Sequence, residues 1–204
     1  MSLEIVVATK NRKKLAEIKD ILKEFKPNIT SLADYPHPVR IVENGKSFRE
    51  NAIKKALTVA RLTGKFTLGE DSGLCVYALR GMPGIYSSRF SGKNKSDRQN
   101  NLKLLKLLDG LPLRKRKAYY VCAVALADKN DLVGVTEGRC SGVIGFQEKG
   151  TSGFGYDPLF VIPRYKKTFA QLGEKIKHKM SHRYRALKKA KKIIQKYIER
   201  QRSS

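Results

Sequence analysis

Acidic residues are scarce in this chain of 204 residues. It carries 18 Asp and Glu against 43 Lys and Arg, which gives a formal net charge of +25 at pH 7. Such a surface attracts polyanions, so nucleic acid, a membrane surface and a phosphorylated small molecule are all candidate partners. A Lys-rich face that only contacts solvent explains the charge equally well. Composition alone therefore leaves both interpretations open.

Histidine, cysteine and long apolar runs are also few. Three His and three Cys, without a Cys-x-x-Cys spacing, argue against a structural zinc site. The odd number of cysteines indicates reduced, mostly buried thiols. The longest apolar runs, such as 121–127, are too short to span a bilayer. The first residues lack the basic start and cleavage region of a signal peptide, so we expect a cytoplasmic protein.

Helix and strand patterns alternate early in the chain, and strand patterns cluster in the middle. Apolar spacing predicts a helix after Asn11, a second from Ser47, a third after Ser96 and a last one from near Ser181. Residues 28–46, with Pro36 and Pro38, look irregular. Strands are predicted at 4–8, 65–69, 74–79, 119–126, 132–138, 143–146 and 159–162. This order predicts a mixed α/β fold with at least one large sheet, in a single domain over residues 1–204.

The segment from Thr9 to Lys14 joins the first predicted strand to the first predicted helix. Helix N-termini bind phosphate through free N–H groups and the helix dipole. Cations in the first turn disfavour the helix itself, so Lys10, Arg12, Lys13 and Lys14 make sense beside a bound anion. The Walker spacing is absent. An ordinary helix capped by Asn11, with solvated bases, is the favoured alternative when this segment is considered alone.

Glu70 and Asp71 stand side by side between two predicted strands, where we expect a turn at 70–73. Asp71 beside Ser72 is typical of an Asx turn. The functional alternative is a general base or a Mg²⁺ ligand, because Mg²⁺ takes a few carboxylates and substrate phosphate oxygens. Glu50 already has a structural role in a Ser-x-x-Glu capping box, so Glu43 is the preferred second ligand.

Two further segments carry residues that a nucleotide would use. In 153–158 (GFGYDP), glycines permit close backbone approach, and Phe154 and Tyr156 offer flat faces for a purine base. The alternative is a tight loop whose aromatic side chains fill the core. His182 and Arg183 follow Ser181 at the start of the last helix, where donors could meet a base carbonyl or a phosphate.

Four segments in this order resemble the inosine triphosphate pyrophosphatase family. They are ATKNRKKLAEI, SFRENAIKKA with EDSGLCVYALRGMPGIYSSRFSG, TSGFGYDPLF and SHRYRAL, and the match runs from about residue 5 to residue 190. The resemblance implies a two-lobed α/β fold around a long central β-sheet with flanking helices, and an active site in the cleft. It also implies a homodimer. The implied reaction is Mg²⁺-dependent cleavage of ITP, dITP or XTP to a nucleoside monophosphate and pyrophosphate, which cleanses the nucleotide pool.

The resemblance also implies roles for individual residues. Asp71 is the implied catalytic residue, and it shares the Mg²⁺ ion with Glu43. The implied substrate-binding residues are Thr9, Lys10, Asn11, Arg12, Lys13, Lys14, Ser72, Phe154, Gly155, Tyr156, Asp157, Lys177, His182 and Arg183. The resemblance implies that Thr9, Asn11 and Lys14 hold the triphosphate and that Lys177 adds positive charge there. It also implies that residues 154–157, His182 and Arg183 form the base pocket.

Some features of the chain are not explained by this resemblance. Lys10 and Lys13 stand where small residues are common, and Gln171 stands where an acid is common. The C-terminal region is far more basic than the chemistry needs. Nucleic-acid binding through that region stays an alternative, although we do not expect it to be the main function.

Overall fold

A computed structural model describes residues 3–35, 41–92 and 96–203, so Pro36 and Pro38 lie outside the described residues. The strands are β1 (Glu4–Val7), β2 (Asn28–Ser31), β3 (Thr67–Val76), β4 (Lys117–Ala127), β5 (Leu132–Ile144), β6 (Phe160–Ile162) and β7 (Lys167–Thr168). The helices are α1 (Arg12–Leu22), α2 (Phe48–Thr63), α3 (Asp97–Leu107), α4 (Phe169–Lys177) and α5 (His182–Ser203).

The strands form a sheet in the order β2-β1-β3-β4-β5-β6-β7, and the predicted mixed α/β class is confirmed. β1 runs parallel to β2 and to β3, whereas β6 is antiparallel to both β5 and β7. β4 and β5 are sheet neighbours joined by the short segment 128–131, so they form the predicted antiparallel hairpin. Within the described residues, no helix is long and apolar enough to cross a membrane.

The chain divides into two compact units. Unit 1 comprises Met1–Asp71, Cys122–Gly138 and His182–Ser204. Unit 2 comprises Ser72–Val121 and Arg139–Ser181. β3 passes from the first unit to the second between Asp71 and Ser72.

The core of unit 1 is organised by the two faces of β4. Cys122, Val124 and Leu126 pack into a cluster with α1 and α5, through residues such as Ile18 and Leu187. The alternate residues Ala123, Ala125 and Ala127 pack against Ala52, Ala56 and Ala60 of α2. Successive strand residues point to opposite sides of a sheet, so the sequence of β4 alternates between these two layers. Alanine against alanine lets α2 lie close to the sheet.

The core of unit 2 is aromatic. Tyr120, Phe160 and Phe169 contact one another, with ring centroids 4.7 Å apart for the first two and 5.3 Å apart for the last two. Aromatic pairs at such distances favour tilted or offset arrangements. Tyr156 from the glycine-rich loop belongs to the same buried cluster. This cluster anchors one end of the loop 150–158.

Several sequence predictions are wrong in detail. Residues 28–31 are not irregular but form β2, whose Ile29 is paired with Ile5 of β1. The predicted turn at 70–73 lies inside β3. Of the predicted separate strand at 143–146, residues 143–144 are the end of β5 and residues 145–146 lie outside any strand. The helix after Asn11 ends at Leu22 and continues as a short 3-10 turn. Sequence periodicity also did not predict α4, because only nine residues form it and a non-helical Gly173 interrupts it.

The predicted capping residues are mostly confirmed. Ser47 and Ser96 each accept a hydrogen bond from the backbone N–H three residues later, at 3.1 Å in both cases. The carboxylate of Glu50, however, accepts from the N–H of Lys46 at 2.9 Å instead of from the N–H of Ser47. Glu50 therefore has the structural role that the sequence predicts, with a different donor.

Candidate active site

The segment between β1 and α1 is shaped by two hydrogen bonds from the backbone to side chains. Thr9 Oγ1 accepts from the N–H of Asn11 at 3.1 Å, and Asn11 Oδ1 accepts from the N–H of Lys14 at 3.1 Å. The second bond confirms Asn11 as the N-cap of α1. The first turn of α1 holds no acidic residue, so its N–H groups and dipole favour an anion. The other cations of this segment are exposed: Lys10, Arg12 and Lys13.

Glu70 and Asp71 lie in the middle of a buried strand and point to opposite sides of it. Gly69 precedes the two carboxylates in this strand and lies against α2. A Cβ at this position would lie 2.3 Å from the carbonyl oxygen of Ala52 in α2. The absence of a side chain lets α2 rest directly on β3. Asp71 then faces α2, and Glu70 faces the layer that α1 and α5 cover. The Asx turn is therefore excluded for Asp71.

On the α2 side, Asp71 is the centre of a polar cluster. Lys55 Nζ lies 2.9 Å from Asp71 Oδ1 and 3.0 Å from Glu43 Oε2, so one ammonium group contacts both carboxylates. Asn51 Nδ2 donates to Asp71 Oδ2 at 3.2 Å, and Asn51 Oδ1 accepts from the N–H of Gly45 at 2.8 Å. Asn51 and Lys55 are four residues apart on α2 and thus share one helix face. The cluster fixes both Asp71 and the loop that carries Glu43.

Burial and charge act in opposite directions on this cluster. Burial raises the pKa of Asp71 above its ordinary value, and the Lys55 ammonium offsets part of that effect. For Lys55, burial would lower the pKa, but the carboxylates of Asp71 and Glu43 outweigh it and the pKa is raised. Lys55 is therefore a permanent cation, whereas Asp71 binds a proton more readily than an exposed aspartate. A carboxylate with a raised pKa is a better proton acceptor than an exposed aspartate.

The pair of Glu43 and Asp71 fits a Mg²⁺ ion in its donor chemistry. Mg²⁺ prefers carboxylate oxygens and is commonly held by only one or two of them, with water and substrate phosphate completing the shell. Both carboxylates already contact a single cation, the Lys55 ammonium. Across residues 3–35, 41–92 and 96–203, no group of three or more His, Cys, Asp or Glu side chains that could hold a metal ion is found. A metal ion here would thus be held by two carboxylates together with water and substrate phosphate oxygens.

On the opposite side of β3, Glu70 joins a second network, in which Glu70 and Arg183 are buried and Lys14 is partly buried. Its Oε2 accepts from Lys14 Nζ at 2.7 Å, and its Oε1 accepts from Arg183 Nη2 at 3.1 Å and from Cys122 Sγ at 3.3 Å. Arg183 Nη1 also donates to Glu17 on α1. Burial would lower the pKa of Arg183, but the carboxylates of Glu70 and Glu17 outweigh it and the pKa is raised. These bonds tie α1, β3 and α5 together.

The structure gives Arg183 a role that the sequence did not predict. Its side chain is 1% exposed and ion-paired with Glu17 and Glu70. His182 is also buried. A Cβ added at Gly138 of β5 would lie 2.3 Å from the carbonyl oxygen of His182. Removal of the guanidinium would leave two buried carboxylates without their main cation, which is costly. The base-reading role of His182 and Arg183 stays a prediction beside this structural one.

In unit 2, the glycine-rich loop is tied to Lys177. Lys177 Nζ lies 2.6 Å from Asp157 Oδ2 and 4.7 Å from the centroid of the Phe154 ring. Asp157 Oδ2 also accepts from the N–H of Phe154 at 3.0 Å, and Gly155 donates its N–H to Asp97 at 2.8 Å. Four of the residues that the resemblance assigns to substrate thus lie in one bonded group.

Two other predicted residues of unit 2 lie outside that ion-paired group. Tyr156 is buried in the aromatic core, and its hydroxyl donates to the carbonyl oxygen of Ser87 at 2.8 Å. This geometry agrees with the alternative in which the loop aromatics fill the core. Ser72 follows Asp71 within β3 and is partly exposed.

Sequence reasoning missed three residues of unit 1 that hold the site together. Asn51 and Lys55 fix Asp71, and Glu17 fixes Arg183. Asn51 and Lys55 carried a signal, because two polar residues four apart stand among the alanines of α2 on its buried side. The sequence signal for Glu17 was weaker, because it is only an acidic residue beside the apolar stripe of α1.

Comparison with known proteins gives one consistent relationship. The model of the Ham1 family matches residues 5–193. A dITP/XTP pyrophosphatase from Desulforamulus reducens is 46% identical over 200 residues, which cover 98% of this chain and 100% of that protein. A dITP/XTP pyrophosphatase from Shouchella clausii is 43% identical over 192 residues, which cover 94% of this chain and 96% of that protein.

The fold is shared with solved structures as well. The structure of a HAM1 protein from Coxiella burnetii matches with a TM-score of 0.86 at 36% identity, and the match covers 95% of this chain and 99% of that chain. These similarities span nearly the whole sequence and include every segment that carries a candidate site residue.

Proposed function

The chain belongs to the Ham1 family, and from that membership we propose that it hydrolyses non-standard purine nucleoside triphosphates, namely ITP, dITP and XTP. The products are the nucleoside monophosphate and pyrophosphate. The relatives named dITP/XTP pyrophosphatase support this reaction. The observation that carries it is the polar cluster in which one ammonium group, that of Lys55, joins the carboxylates of Glu43 and Asp71.

The residues around this cluster suit attack by water on a phosphoryl group. The charge of three phosphates must be neutralised, and the N-terminus of α1 with Lys14 supplies N–H groups and a cation. Asp71, with its raised pKa, would orient the attacking water and accept its proton. Lys55 and Asn51 would hold the Asp71 carboxylate in one orientation. Hydrolysis between the α- and β-phosphates then releases pyrophosphate.

We also propose that the reaction depends on Mg²⁺ held by Glu43 and Asp71. When bound, the ion would neutralise phosphate charge and polarise the phosphoryl centre. The test is turnover after removal of metal with EDTA and after addition of Mg²⁺. Full activity in EDTA would refute the dependence, and Glu43→Gln should raise the Mg²⁺ concentration needed for half-maximal rate.

Base selectivity is the second part of the proposal. Hypoxanthine and xanthine carry a 6-keto group that accepts hydrogen bonds from donors of the protein. The 6-amino group of adenine is itself a donor, so it would be mismatched with those donors. The residues assigned to this task by family resemblance are Phe154 to Asp157, His182 and Arg183. Guanine also carries a 6-keto group, so its rejection requires contacts at the 2-position.

We further propose a homodimer in the cytoplasm. The apolar side chains of Tyr77, Met82 and Tyr86 in unit 2 are 63%, 49% and 56% exposed, and an exposed apolar surface of this kind is typical of an interface. All three cysteines are free and buried, as expected for a reducing compartment. Sedimentation equilibrium of the wild type and of Tyr86→Ser tests the dimer, and a monomeric wild type would refute it.

One experiment tests the reaction and the selectivity together. Hydrolysis of ITP, XTP, dITP, GTP and ATP is measured with Mg²⁺, and pyrophosphate is resolved from orthophosphate. Pyrophosphate from ITP, dITP and XTP, with ATP and GTP largely spared, is the expected result. Release of orthophosphate, or hydrolysis of a standard nucleotide at an equal rate, would contradict the proposal.

A further inference from the structure

Helix α5 presents a row of cations that the proposed reaction does not use. Six basic residues of this helix are exposed and follow one another at intervals of one to four residues, namely Arg185, Lys188, Lys189, Lys192, Lys196 and Arg200. With 3.6 residues per turn, they fall within an arc of about 120° along one side of the helix. We call this row the α5 stripe.

The helix is fixed to unit 1 by its opposite side, so the α5 stripe faces solvent. Leu187, Ala190 and Ile194 are buried in the core cluster with α1 and β4. Tyr197 packs on Phe66, with ring centroids 4.4 Å apart. The cations are therefore held on a rigid rod, at a rise of about 1.5 Å per residue.

The positive charge of the stripe is only weakly balanced by its own helix. Glu199 is the one acidic residue in the sequence of α5. Lys189 Nζ donates to the backbone carbonyl of Glu137 at 2.7 Å, a bond that leaves its charge uncompensated. The ion pair between Lys191 and Glu24 lies off the stripe. Lys188, Lys189, Lys192 and Lys196 are exposed like charges along one side of the helix, and a bound polyanion would relieve the repulsion among them.

The chemistry of the exposed arc selects the kind of polyanion. Its basic positions are interrupted by no exposed apolar or aromatic side chain, because Tyr184, Ile193, Tyr197 and Ile198 pack against the core. Insertion into a bilayer needs an apolar face, and binding of unstacked single strands needs aromatic platforms. A straight row of cations without either fits the regular phosphates of a double helix.

We propose that the α5 stripe binds the phosphate backbone of duplex nucleic acid without reading its sequence. This function goes beyond the proposed hydrolysis and uses none of the residues assigned to it. Binding of this kind depends steeply on salt, because each neutralised phosphate releases counterions. Four to six contacts predict a slope of log K against log salt of about −4 to −5.

The test measures fluorescence anisotropy of a labelled 20-base-pair DNA duplex, and of an RNA duplex of the same sequence, over a series of salt concentrations. The stripe variant is Lys188→Gln, Lys192→Gln, Lys196→Gln. The control variant is Lys115→Gln, Lys117→Gln, Lys175→Gln, which removes the same charge from exposed positions of unit 2. Circular dichroism and thermal unfolding verify that both variants are folded.

The stripe variant should bind at least ~10-fold more weakly at 0.1 M salt, with a salt slope smaller by about 2 to 3, while the control variant binds like the wild type. An equal loss in both variants would overturn the proposal, because bulk charge alone would then explain binding. Displacement of the duplex by excess ITP would also overturn it. So would stripe-dependent binding to phosphatidylserine vesicles without binding to either duplex. If the stripe variant loses binding to only one of the two duplexes, the proposal is supported and that duplex, DNA or RNA, is identified as the ligand.

Discussion

Asp71 is a residue whose charge is costly in the folded protein and useful in the proposed reaction. It is buried in β3, and burial raises its pKa. Asp71→Asn keeps the shape and one acceptor oxygen, which can serve Lys55, but its NH2 group cannot accept from Asn51 and the base is removed. We expect turnover of ITP to fall by a factor of about 100 to 10,000, the usual range for loss of a general base. The melting temperature should change little, because the loss of the hydrogen bond from Asn51 offsets the lower cost of burying a neutral amide.

A matched control for this change is Asp20→Asn. Asp20 is an exposed aspartate of the same unit and pairs with Lys23 on the surface. The Asp20→Asn substitution should affect neither turnover nor melting temperature measurably, since exposed ion pairs contribute little to stability. Near-normal turnover of Asp71→Asn would remove Asp71 from its proposed role, whatever the melting temperature.

Lys55 controls the protonation of Asp71 in the metal-free protein. Its ammonium lies 2.9 Å from the Asp71 carboxylate and offsets the effect of burial on the Asp71 pKa. Lys55→Met should therefore raise the pKa of Asp71 further, and ¹³C NMR titration of the metal-free protein measures it directly. Lys54→Met is the control, because Lys54 contacts Asn44 on the exposed side of the same helix. An unchanged Asp71 pKa in Lys55→Met would contradict this account.

The raised pKa of Asp71 also determines the direction in which stability changes with pH. The folded state binds the Asp71 proton more tightly than the unfolded chain does. Asp71 by itself thus contributes stability below its unfolded pKa, and this contribution is lost as the pH rises through its folded pKa. The proposed catalytic form, which is deprotonated, is the less stable one.

At the scale of elements, the contact of α2 with β3 depends on Gly69. A Cβ at this position would lie 2.3 Å from the Ala52 carbonyl oxygen and 2.6 Å from the Ala56 nitrogen, and neither backbone atom can move without the helix. Gly69→Ala should lower the free energy of unfolding by about 1–3 kcal/mol, as overpacking does. Turnover should also fall, because the displaced helix carries Lys55 away from Asp71.

Chemical denaturation and ITP turnover test this prediction together. Gly145→Ala in unit 2 is the control, since its Cβ would meet no atom closer than 3.5 Å. We expect that variant to change stability by less than about 1 kcal/mol, the effect of a substitution without a clash. If Gly69→Ala were as stable as Gly145→Ala, the close approach of α2 would not be required.

The sequence predicted those elements whose local signals agree with their tertiary setting. The caps at Asn11, Ser47 and Ser96 were identified, because a side chain that accepts a nearby N–H is a local feature. The strand at 70–73 was not, since Gly and Asp favour turns locally, whereas the pairing of β3 between β1 and β4 is not visible in a short sequence window. β2 was missed for a similar reason, because its pairing with β1 is not visible in a short sequence window.

The candidate site shows the same division. Family resemblance assigned residues to the substrate and the metal, and of these Lys14, Glu43 and Asp71 lie in the polar clusters of unit 1. The opposite orientation of Glu70 and Asp71 follows from strand geometry, but only after 67–76 is known to be a strand. Which cation joins which carboxylate depends on packing between distant segments, which no local pattern encodes.

At the scale of the whole molecule, the net charge of +25 must act on stability as well as on binding. Mutual repulsion of the cations disfavours the compact state, and salt screens it over a Debye length of about 10 Å at 0.1 M. The Lys55–Asp71 pair is buried and the Lys14–Glu70 pair is partly buried, so salt screens both less than it screens exposed cations. Repulsion between exposed cations should therefore dominate the response of stability to salt.

We expect the melting temperature to rise as NaCl is raised from about 0.02 to about 0.3 M, by roughly 2–4 °C for each kcal/mol of repulsion removed. Differential scanning calorimetry at constant pH measures the change. The stripe variant and the control variant each remove three positive charges, so both should respond less to salt than the wild type. A melting temperature that falls with NaCl would mean that exposed ion pairs outweigh repulsion. The same two variants thus separate a global effect, which both share, from duplex binding, which only the α5 stripe should lose.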